Sequence, residues 1–368
     1  RLTFVGDVSF GDCLFCQGMG IRSLARKFPL YHFFAQVADY LQQADIAFCN
    51  LETILSRTGE DEDRLATVDM RGDPECVESL KLAGFSVVNV ANNHTAQHGP
   101  IPFQETVELL RDNEIEVVGL KADQNWHCAP VIINKKAKKI GFLGYSFVHD
   151  KIFSNMTPYA EGDDEKILAD IRQLRNSVDL LVISVHWGLE FMDYPSPATV
   201  QRAHAMVDAG ADIIIGHHPH VLQGVEEYKN KIIAYSLGNF LFDMLWSKEY
   251  RETMMLEISW QPCKSLSWTM VPARIGTSGQ LTVLTGEQGV RAQKRLNLLS
   301  QKISGADQES SSSNNAYEKE FNRKNNAGRI KSYIYFLLNF HNYRKRYLIQ
   351  QIKRTIGSRV EDLLAMFN

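Results

Sequence analysis

The chain has 368 residues, 44% of them hydrophobic and 10% aromatic, and a formal net charge of −3. This composition is typical of a globular protein with one large domain or two ordinary ones. Eight basic residues and no acidic one lie between Arg329 and Val360, which leaves 32 basic against 43 acidic residues elsewhere, a balance of −11. A body this acidic excludes a broad basic surface, so we expect no nucleic-acid partner.

Alternating strand and helix patterns run to about residue 220 and indicate a layered α/β fold. The strands predicted in this part are residues 2–5, 46–49, 87–90, 116–119, 180–185 and 213–215. The helices predicted between them lie near 30–43, 75–83, 103–113, 164–177 and 198–209. A hairpin is predicted at 130–134 and 139–145, and strands at 231–236, 253–260 and 265–271 follow without helices between them. A mixed sheet, or two packed sheets, therefore fits better than a purely parallel one.

The composition changes near residue 300. Residues 300–328 are rich in Ser, Asn, Gln, Gly and charge, so they offer little apolar surface to offset the entropy of ordering. Beyond them, apolar residues recur at helical spacing among basic ones. We expect a domain at 1–299, a flexible polar linker at 300–328 and a basic amphipathic helical tail at 329–368. The tail either packs back on the body or meets an anionic membrane surface or a partner protein.

Cysteines are few for this length, and their contexts favour reduced thiols over a disulfide framework. Only Cys13 and Cys16 have a spacing that suggests metal binding. A structural zinc site would need a second such pair, which the sequence does not contain. We therefore interpret Cys13 and Cys16 as ordinary loop cysteines.

Ligand-type residues follow five of the predicted strands. They are Gly6-Asp7, Asn50-Leu51-Glu52, Asn92-Asn93-His94, His186-Trp187-Gly188 with Glu190, and Gly216-His217-His218-Pro219-His220. Side chains at the carboxyl ends of neighbouring strands converge on one crevice. In an extended segment, His218 and His220 would project from the same side as a ligand pair. Two divalent ions held by carboxylate, amide and imidazole groups could activate a shared water for attack on phosphorus or on a carbonyl.

Together with Tyr235-Ser236-Leu237-Gly238-Asn239-Phe240, and in this order, these motifs resemble those of the CapA, or poly-γ-glutamate capsule biosynthesis, family. That family is related to calcineurin-like metallophosphoesterases, and the resemblance covers residues 2–243. It implies a four-layer α-β-β-α metallophosphoesterase-like sandwich with two central sheets. It also implies a metal-dependent hydrolase of a phosphoester or amide in bacterial capsule or surface-polymer biosynthesis. The alternative is a non-catalytic accessory subunit of a polymer synthesis or export complex.

The resemblance also assigns roles to individual residues. The implied ligands of one or two divalent ions (Mn, Fe or Zn) are Asp7, Glu52, Asn93, His186, His218 and His220. His94 is the implied catalytic general acid. Residues expected to support the ligands or to contact substrate are Asn50, Glu190, His217 and Asn239, with Glu190 orienting His186.

The sequence departs from the family pattern in two places. Ser9 occupies the position at which related phosphoesterases have a histidine ligand, so a single ion is one expectation. Gln97 and His98 lie where many family members have an aspartate, and His98 is a candidate substitute.

The resemblance and the tail also bear on partners and location. We expect a surface-polymer or phosphorylated substrate, with the tail contacting a membrane surface or a synthesis complex. We expect a cytoplasmic location. Peripheral association with the inner face of the membrane is an alternative. Because the sequence starts with Arg1 and not with Met, an upstream membrane anchor is a further alternative.

Overall fold

The computed structural model describes residues 1–122, 126–149, 157–260, 265–303 and 311–354, with the backbone alone at 311–314. Its strands are β1 (Leu2–Val8), β2 (Ile46–Leu51), β3 (Ile54–Leu55), β4 (Arg71–Gly72), β5 (Val87–Asn89), β6 (Glu116–Val118), β7 (Val131–Lys135), β8 (Lys138–Ser146), β9 (Leu180–His186), β10 (Ile213–His217), β11 (Val225–Tyr228), β12 (Lys231–Ala234), β13 (Asn239–Leu241), β14 (Glu252–Ser259), β15 (Ser267–Ile275) and β16 (Leu281–Val283). Its α-helices are α1 (Ile21–Ala25), α2 (Ala38–Gln42), α3 (Leu65–Val68), α4 (Val77–Ala83), α5 (Pro100–Asp112), α6 (Asp164–Arg175), α7 (Pro197–Ala209), α8 (Lys248–Arg251), α9 (Gly286–Ile303) and α10 (Ser311–Asn339).

Two mixed sheets form the centre of the fold. The first has the order β16-β15-β14-β1-β2-β5-β6, with β13 beside β1, and the second has the order β11-β12-β10-β9-β8-β7. Strands β1, β2, β5 and β6 run parallel, as do β8, β9, β10 and β12. Antiparallel strands extend each sheet at its edges. The predicted α/β class with mixed sheets is confirmed.

The sheets pack face to face through aromatic and β-branched side chains. Phe48 of β2 stacks on Phe142 of β8 with ring centroids 6.0 Å apart, and neither residue is exposed. A second core lies between the first sheet and helices α4 and α5, and a third lies between the second sheet and helices α6 and α7. Continuous apolar runs such as 213–215 are explained by this burial on both faces of a strand.

The helix predicted near 30–43 is shorter in the structure, where only α2, Ala38–Gln42, is helical. The residues before it form turns. Phe33 and Phe34 both pack edge-on against Phe10, and the backbone oxygen of Phe33 accepts a hydrogen bond from the Leu281 amide at 2.8 Å. Tertiary contacts therefore override the helical spacing here.

Residues 311–328, expected to be a flexible linker, instead belong to α10, which continues without a break to Asn339. Polar contacts to the body explain the order despite the low hydrophobicity. Tyr194 donates to Glu320 at 2.7 Å, and Lys324 pairs with Asp193. Residues 304–310 of the expected linker lie outside the described part of the chain.

The tail packs back on the body over 329–354, which was one of its two expected positions. Phe336, Tyr343 and Tyr347 are buried against Leu65 and Val68. The Tyr343 hydroxyl donates to the Leu14 carbonyl at 2.9 Å, and the Tyr347 hydroxyl donates to the Glu62 carbonyl at 2.7 Å. Residues 355–368 of the tail lie outside the described residues. Among the helices that are described, none combines the length and hydropathy needed to cross a bilayer.

Candidate metal centre

Strand pairing brings the predicted site residues together. Asp7 lies opposite Asn50 across β1 and β2, and opposite Asn239 across β1 and β13. His217 lies opposite His186 across β10 and β9. These parallel strands end at the same edge, so their polar ends converge where the two sheets meet.

Glu52 lies at the centre of the convergence and is not exposed to solvent. Its Oε1 atom lies 3.7 Å from Nε2 of His186, 3.7 Å from Nε2 of His220 and 3.8 Å from Nε2 of His94. Neither carboxylate oxygen of Glu52 receives a hydrogen bond from any described residue. A buried, ionised carboxylate without donors is costly, so a positive partner would stabilise Glu52 in its charged form.

Asp7 is the second buried carboxylate of the site. Its Oδ1 accepts from Asn50 at 2.9 Å and lies 3.2 Å from Nδ1 of His217. Its Oδ2 accepts from the His218 amide at 3.3 Å and lies 3.5 Å from Nδ1 of His220. Burial acts to raise the pKa of Asp7, but the hydrogen bond and charge of His217 and the charge of His220 hold it below its usual value.

The amide of Asn239 fixes the tautomer of His220. Asn239 Nδ2 donates to the carbonyls of His220 and Tyr250 at 3.3 and 3.0 Å, so its Oδ1 must face the imidazole. This oxygen lies 2.8 Å from His220 Nδ1, which is therefore the donor. In the neutral imidazole, Nε2 faces Glu52 with a free lone pair, as a metal ligand does. Asn239 therefore holds the ring of a candidate ligand in place.

His186 and Asn93 face the same point from different strand ends. His186 Nε2 and Asn93 Oδ1 lie 2.8 Å apart. On the other side of the ring, Nδ1 lies 3.4 Å from Nδ2 of Asn50. Asn50 is itself fixed, because its Oδ1 accepts from Asn89 and Asn92 at 2.9 and 3.1 Å. Asn50 therefore supports both Asp7 and His186.

The expectation that His218 and His220 lie in an extended segment is wrong. Both have left-handed backbone, with φ of 96° and 56°, in a turn that follows β10. The turn brings the rings of His218 and His220 within 5.8 Å, and those of His218 and His186 within 4.8 Å. Non-glycine residues in this conformation carry strain, which is commonly found at functional sites.

The donor set fits a divalent metal ion. Three overlapping groups have ligand atoms within 4.8 Å of one another, namely Glu52–His186–His218, Asp7–Glu52–His220 and Glu190–His218–His220. Burial and the charges of neighbouring histidines lower the pKa of His186 and take that of His218 to about 3. Both imidazoles are thus neutral, which is the form that binds metal. Burial and the charges of Asp7 and Glu190 raise the pKa of Glu52, which a bound cation would counteract.

Glu190 lies where a metal ligand would lie, whereas Ser9 supplies no ligand. The carboxylate of Glu190 lies with His218 and His220, so it is placed as a candidate ligand and not as the group that orients His186. Ser9 Oγ accepts from the Gly11 amide at 3.2 Å, within its own turn. The chain therefore offers no side chain from position 9 to the metal site.

A hydrogen-bond relay that the sequence did not show orients His94. Gln97 Nε2 faces the Oδ2 and backbone oxygen of Asp69 at 3.2 and 3.4 Å, so Gln97 Oε1 faces His94 Nδ1 at 2.8 Å. His94 Nδ1 is then the donor, and Nε2 points toward Glu52. His98 is not the substitute for the missing aspartate, because its Nε2 donates to the Asp69 carbonyl at 2.8 Å.

The family model described as "Bacterial capsule synthesis protein PGA_cap" matches residues 1–244. The chain belongs to this family. It is 32% identical over 260 residues to the capsule biosynthesis protein CapA of Bacillus anthracis, covering 67% of this chain and 61% of that protein. It is 29% identical over 259 residues to the PGA biosynthesis protein CapA of Bacillus subtilis (strain 168), covering 67% and 64%. The chain thus spans less than two thirds of the length of these relatives.

Among solved structures, the 5′-nucleotidase from Candida albicans SC5314 is similar with a TM-score of 0.42 and 9% identity, covering 82% of this chain and 57% of that chain. A likeness at this level carries no argument about activity. The family resemblance that the motifs predicted over 2–243 is confirmed by the match to residues 1–244.

The pocket over the candidate metal centre is lined in part by residues outside the family match. It has a volume of about 350 Å³, and His94, Glu190 and His220 are among the residues that line it. Arg329 of α10 and Arg354 line the same pocket. The charge of Arg354 acts on the buried carboxyl of Asp69, and Arg344, farther along the tail than Arg329, pairs with Glu62 of the body. Sequence spacing could not place these two arginines, since their position depends on how the tail docks.

Replacing the residue that orients His220 is expected to weaken metal binding. In Asn239→Ala, the His220 ring loses the acceptor that sets its tautomer, and we expect metal affinity to fall roughly 10–100-fold. Competition with a chromophoric chelator measures this affinity. His204→Ala is the matched control, because His204 pairs with Glu226 away from the centre. Equal affinity in a folded Asn239→Ala protein would contradict the role of Asn239.

Proposed function

We propose that this chain is a metal-dependent hydrolase that cleaves a phosphoester or amide bond during the synthesis of a bacterial surface polymer. The observation that carries the proposal is the donorless, buried carboxylate of Glu52, faced by the Nε2 atoms of three histidines. One or two ions of Mn, Fe or Zn would be held by Asp7, Glu52, Asn93, Glu190, His186, His218 and His220. When bound, such ions lower the pKa of water and stabilise negative charge that develops at the cleaved bond.

His94 is suited to protonate the leaving group. Its side chain is 26% exposed and lines the pocket, while the Nδ1 proton is retained by Gln97. The proton on Nε2 of the imidazolium can therefore pass to the leaving oxygen or nitrogen as its bond to phosphorus or carbon breaks and water adds. A site that only held a metal would need ligands but no such group.

The pocket chemistry favours an anionic substrate. Arg329 and Arg354 bring two guanidinium groups to the pocket over the candidate metal centre, and guanidinium binds carboxylate or phosphate oxygens with two parallel hydrogen bonds. Phe15, Phe191 and Trp246 supply apolar surface between these polar ends. A polymer segment with repeated carboxylates, or a phosphorylated precursor, matches this arrangement. The names of the Bacillus relatives support poly-γ-glutamate as the polymer.

Removing the proposed acid should abolish turnover without removing the metal. In His94→Ala, we expect kcat to fall about 10²–10⁴-fold while metal content is unchanged. The assay uses metal-loaded protein with aryl phosphoesters and with γ-glutamyl oligomers, and elemental mass spectrometry gives the metal content. His98→Ala, which removes a neighbouring imidazole outside the metal groups, is the control. Full activity in His94→Ala would remove His94 from the mechanism, and no turnover by loaded wild type would favour an accessory subunit.

The tail arginines should affect substrate binding more than chemistry. In Arg329→Gln, we expect the KM for an anionic oligomer to rise roughly tenfold, since a charge-assisted hydrogen bond is lost. The kcat should stay nearly unchanged, because Arg329 belongs to none of the candidate ligand groups. Lys345→Gln removes the same charge from an exposed position outside the pocket and should leave KM unaltered. A similar rise in both variants would show a general charge effect instead of a specific contact.

A further inference from the structure

A second group of ligand-type side chains lies beside the histidine centre and shares no residue with it. The Sγ atoms of Cys13 and Cys16 and a carboxylate oxygen of Asp243 lie within 4.8 Å of one another. Cys16 and Asp243 are each 1% exposed, and Cys13 is half-buried. Two thiols and a carboxylate form a donor set of the kind that binds zinc.

The chain builds this group from two distant segments. The Cys16 amide donates to the Cys13 carbonyl at 2.8 Å and so closes a tight turn. In this turn the two thiols lie close to each other. Asp243 follows β13, which runs beside β1. The Cys13 amide donates to Asp243 Oδ2 at 2.7 Å, and Cys16 Sγ lies 3.1 Å from the Asp243 carbonyl. The third donor is thus more than 200 residues from the cysteine pair, so spacing alone does not reveal it.

The carboxylates of Asp12 and Asp69 act on Asp243. Burial, together with the charges of Asp12 and Asp69, raises the pKa of Asp243 to about 7. Asp12 is occupied, because its carboxylate accepts from the Gly18 amide and from the amide and hydroxyl of Ser23. Gly20 leaves room for the two carboxylates, since a Cβ there would lie 2.4 Å from Asp243 Oδ2 and 2.6 Å from Asp12 Oδ1. The groups that act on Asp243 include no cation.

A buried oxygen of the neighbouring Asp69 also lacks a hydrogen-bond partner. Asp69 pairs with Asp12 in a β-bridge, and the charge of Arg354 acts on its carboxylate. Against the hydrogen bond with Cys16, burial and then the charges of Asp243 and Asp69 raise the pKa of the Cys13 thiol. The Oδ2 of Asp69 is held by Gln97, but its Oδ1 is buried and has no hydrogen-bond partner among the described residues. A buried oxygen of this kind is rare unless a ligand, ion or water satisfies it.

We propose that Cys13, Cys16 and Asp243 bind a zinc ion. Two sulfur donors and one oxygen donor leave the fourth position of the tetrahedron that Zn²⁺ prefers to water, and thiolate ligation separates this site from the nitrogen and oxygen donors of the histidine centre. Binding replaces the two thiol protons, which are released to solvent. Because Cys13 also lines the pocket over the histidine centre, the ion would fix part of its lining. The proposal does not depend on hydrolase activity.

Cobalt titration tests the site with a readout that only thiolate ligation produces. The full chain is reduced with a non-chelating phosphine, freed of metal and titrated with Co²⁺. We expect a thiolate-to-cobalt charge-transfer band together with the visible bands of tetrahedral cobalt. The charge-transfer band should vanish in Cys13→Ser/Cys16→Ser. It should persist in Cys76→Ala, which removes a buried thiol elsewhere, and in His218→Ala/His220→Ala, which disables the other centre.

A measurement on unaltered protein guards against a variant that fails to fold. Zinc-loaded wild type is treated with an organomercurial, and released zinc is followed with a metallochromic dye. We expect one equivalent of zinc to be released as the thiols are modified. No charge-transfer band in folded wild type, a band that persists without Cys13 and Cys16, or zinc that stays bound after thiol modification would each overturn the proposal.

Discussion

Glu52 imposes the constraint on which the site depends. Its two oxygens lie in the protein interior and receive no hydrogen bond from the described residues, while Nε2 atoms of three histidines lie 3.7 to 3.8 Å from Oε1. In His94 and His220 the other nitrogen already carries the proton, because Gln97 and Asn239 present an acceptor to it. In neutral His220 the Nε2 lone pair therefore faces a carboxylate, an arrangement that is unfavourable unless a cation lies between them, whereas Nε2 of His94 carries the proton of the proposed acid.

The fold meets this constraint by gathering strand ends. Parallel pairing of β1 with β2 and of β9 with β10, and the packing of the two sheets through Phe48 and Phe142, bring carboxylates from one sheet against imidazoles from the other. The left-handed turn at His218 and His220 brings both imidazoles to the carboxylates, where an extended segment was expected. The tail then contributes Arg329 to the lining of the pocket that His94, Glu190 and His220 also line. The two sheets thus bring carboxylates and imidazoles together, the strained turn positions His218 and His220, and the docked helix α10 supplies Arg329.

Sequence patterns predicted the part of this arrangement that is local. Apolar runs followed by Asp7, Glu52, His186 and His218 identified the strand ends and the candidate metal ligands there. Both features can be recognised in consecutive residues, because a buried strand is an apolar run and the ligand type is the residue type that follows it. Only Ala38–Gln42 of the helix predicted near 30–43 is helical, and residues 311–328 of the linker predicted at 300–328 lie in α10. Contacts of Phe33 and Tyr194 with distant residues decide those segments. Gln97, Asp243 and Arg329 were missed as site residues for the same reason. Their surroundings come from segments far away in the chain.

The most direct test of the metal centre is anomalous diffraction at the manganese absorption edge from crystals of the full chain reconstituted with Mn²⁺. The account predicts an anomalous peak within bonding distance of the Glu52 carboxylate and of nitrogens from His186, His218 and His220. Well-ordered crystals of saturated protein that show no peak there, with Glu52 instead hydrogen-bonded to a protonated imidazole or to water, would contradict it.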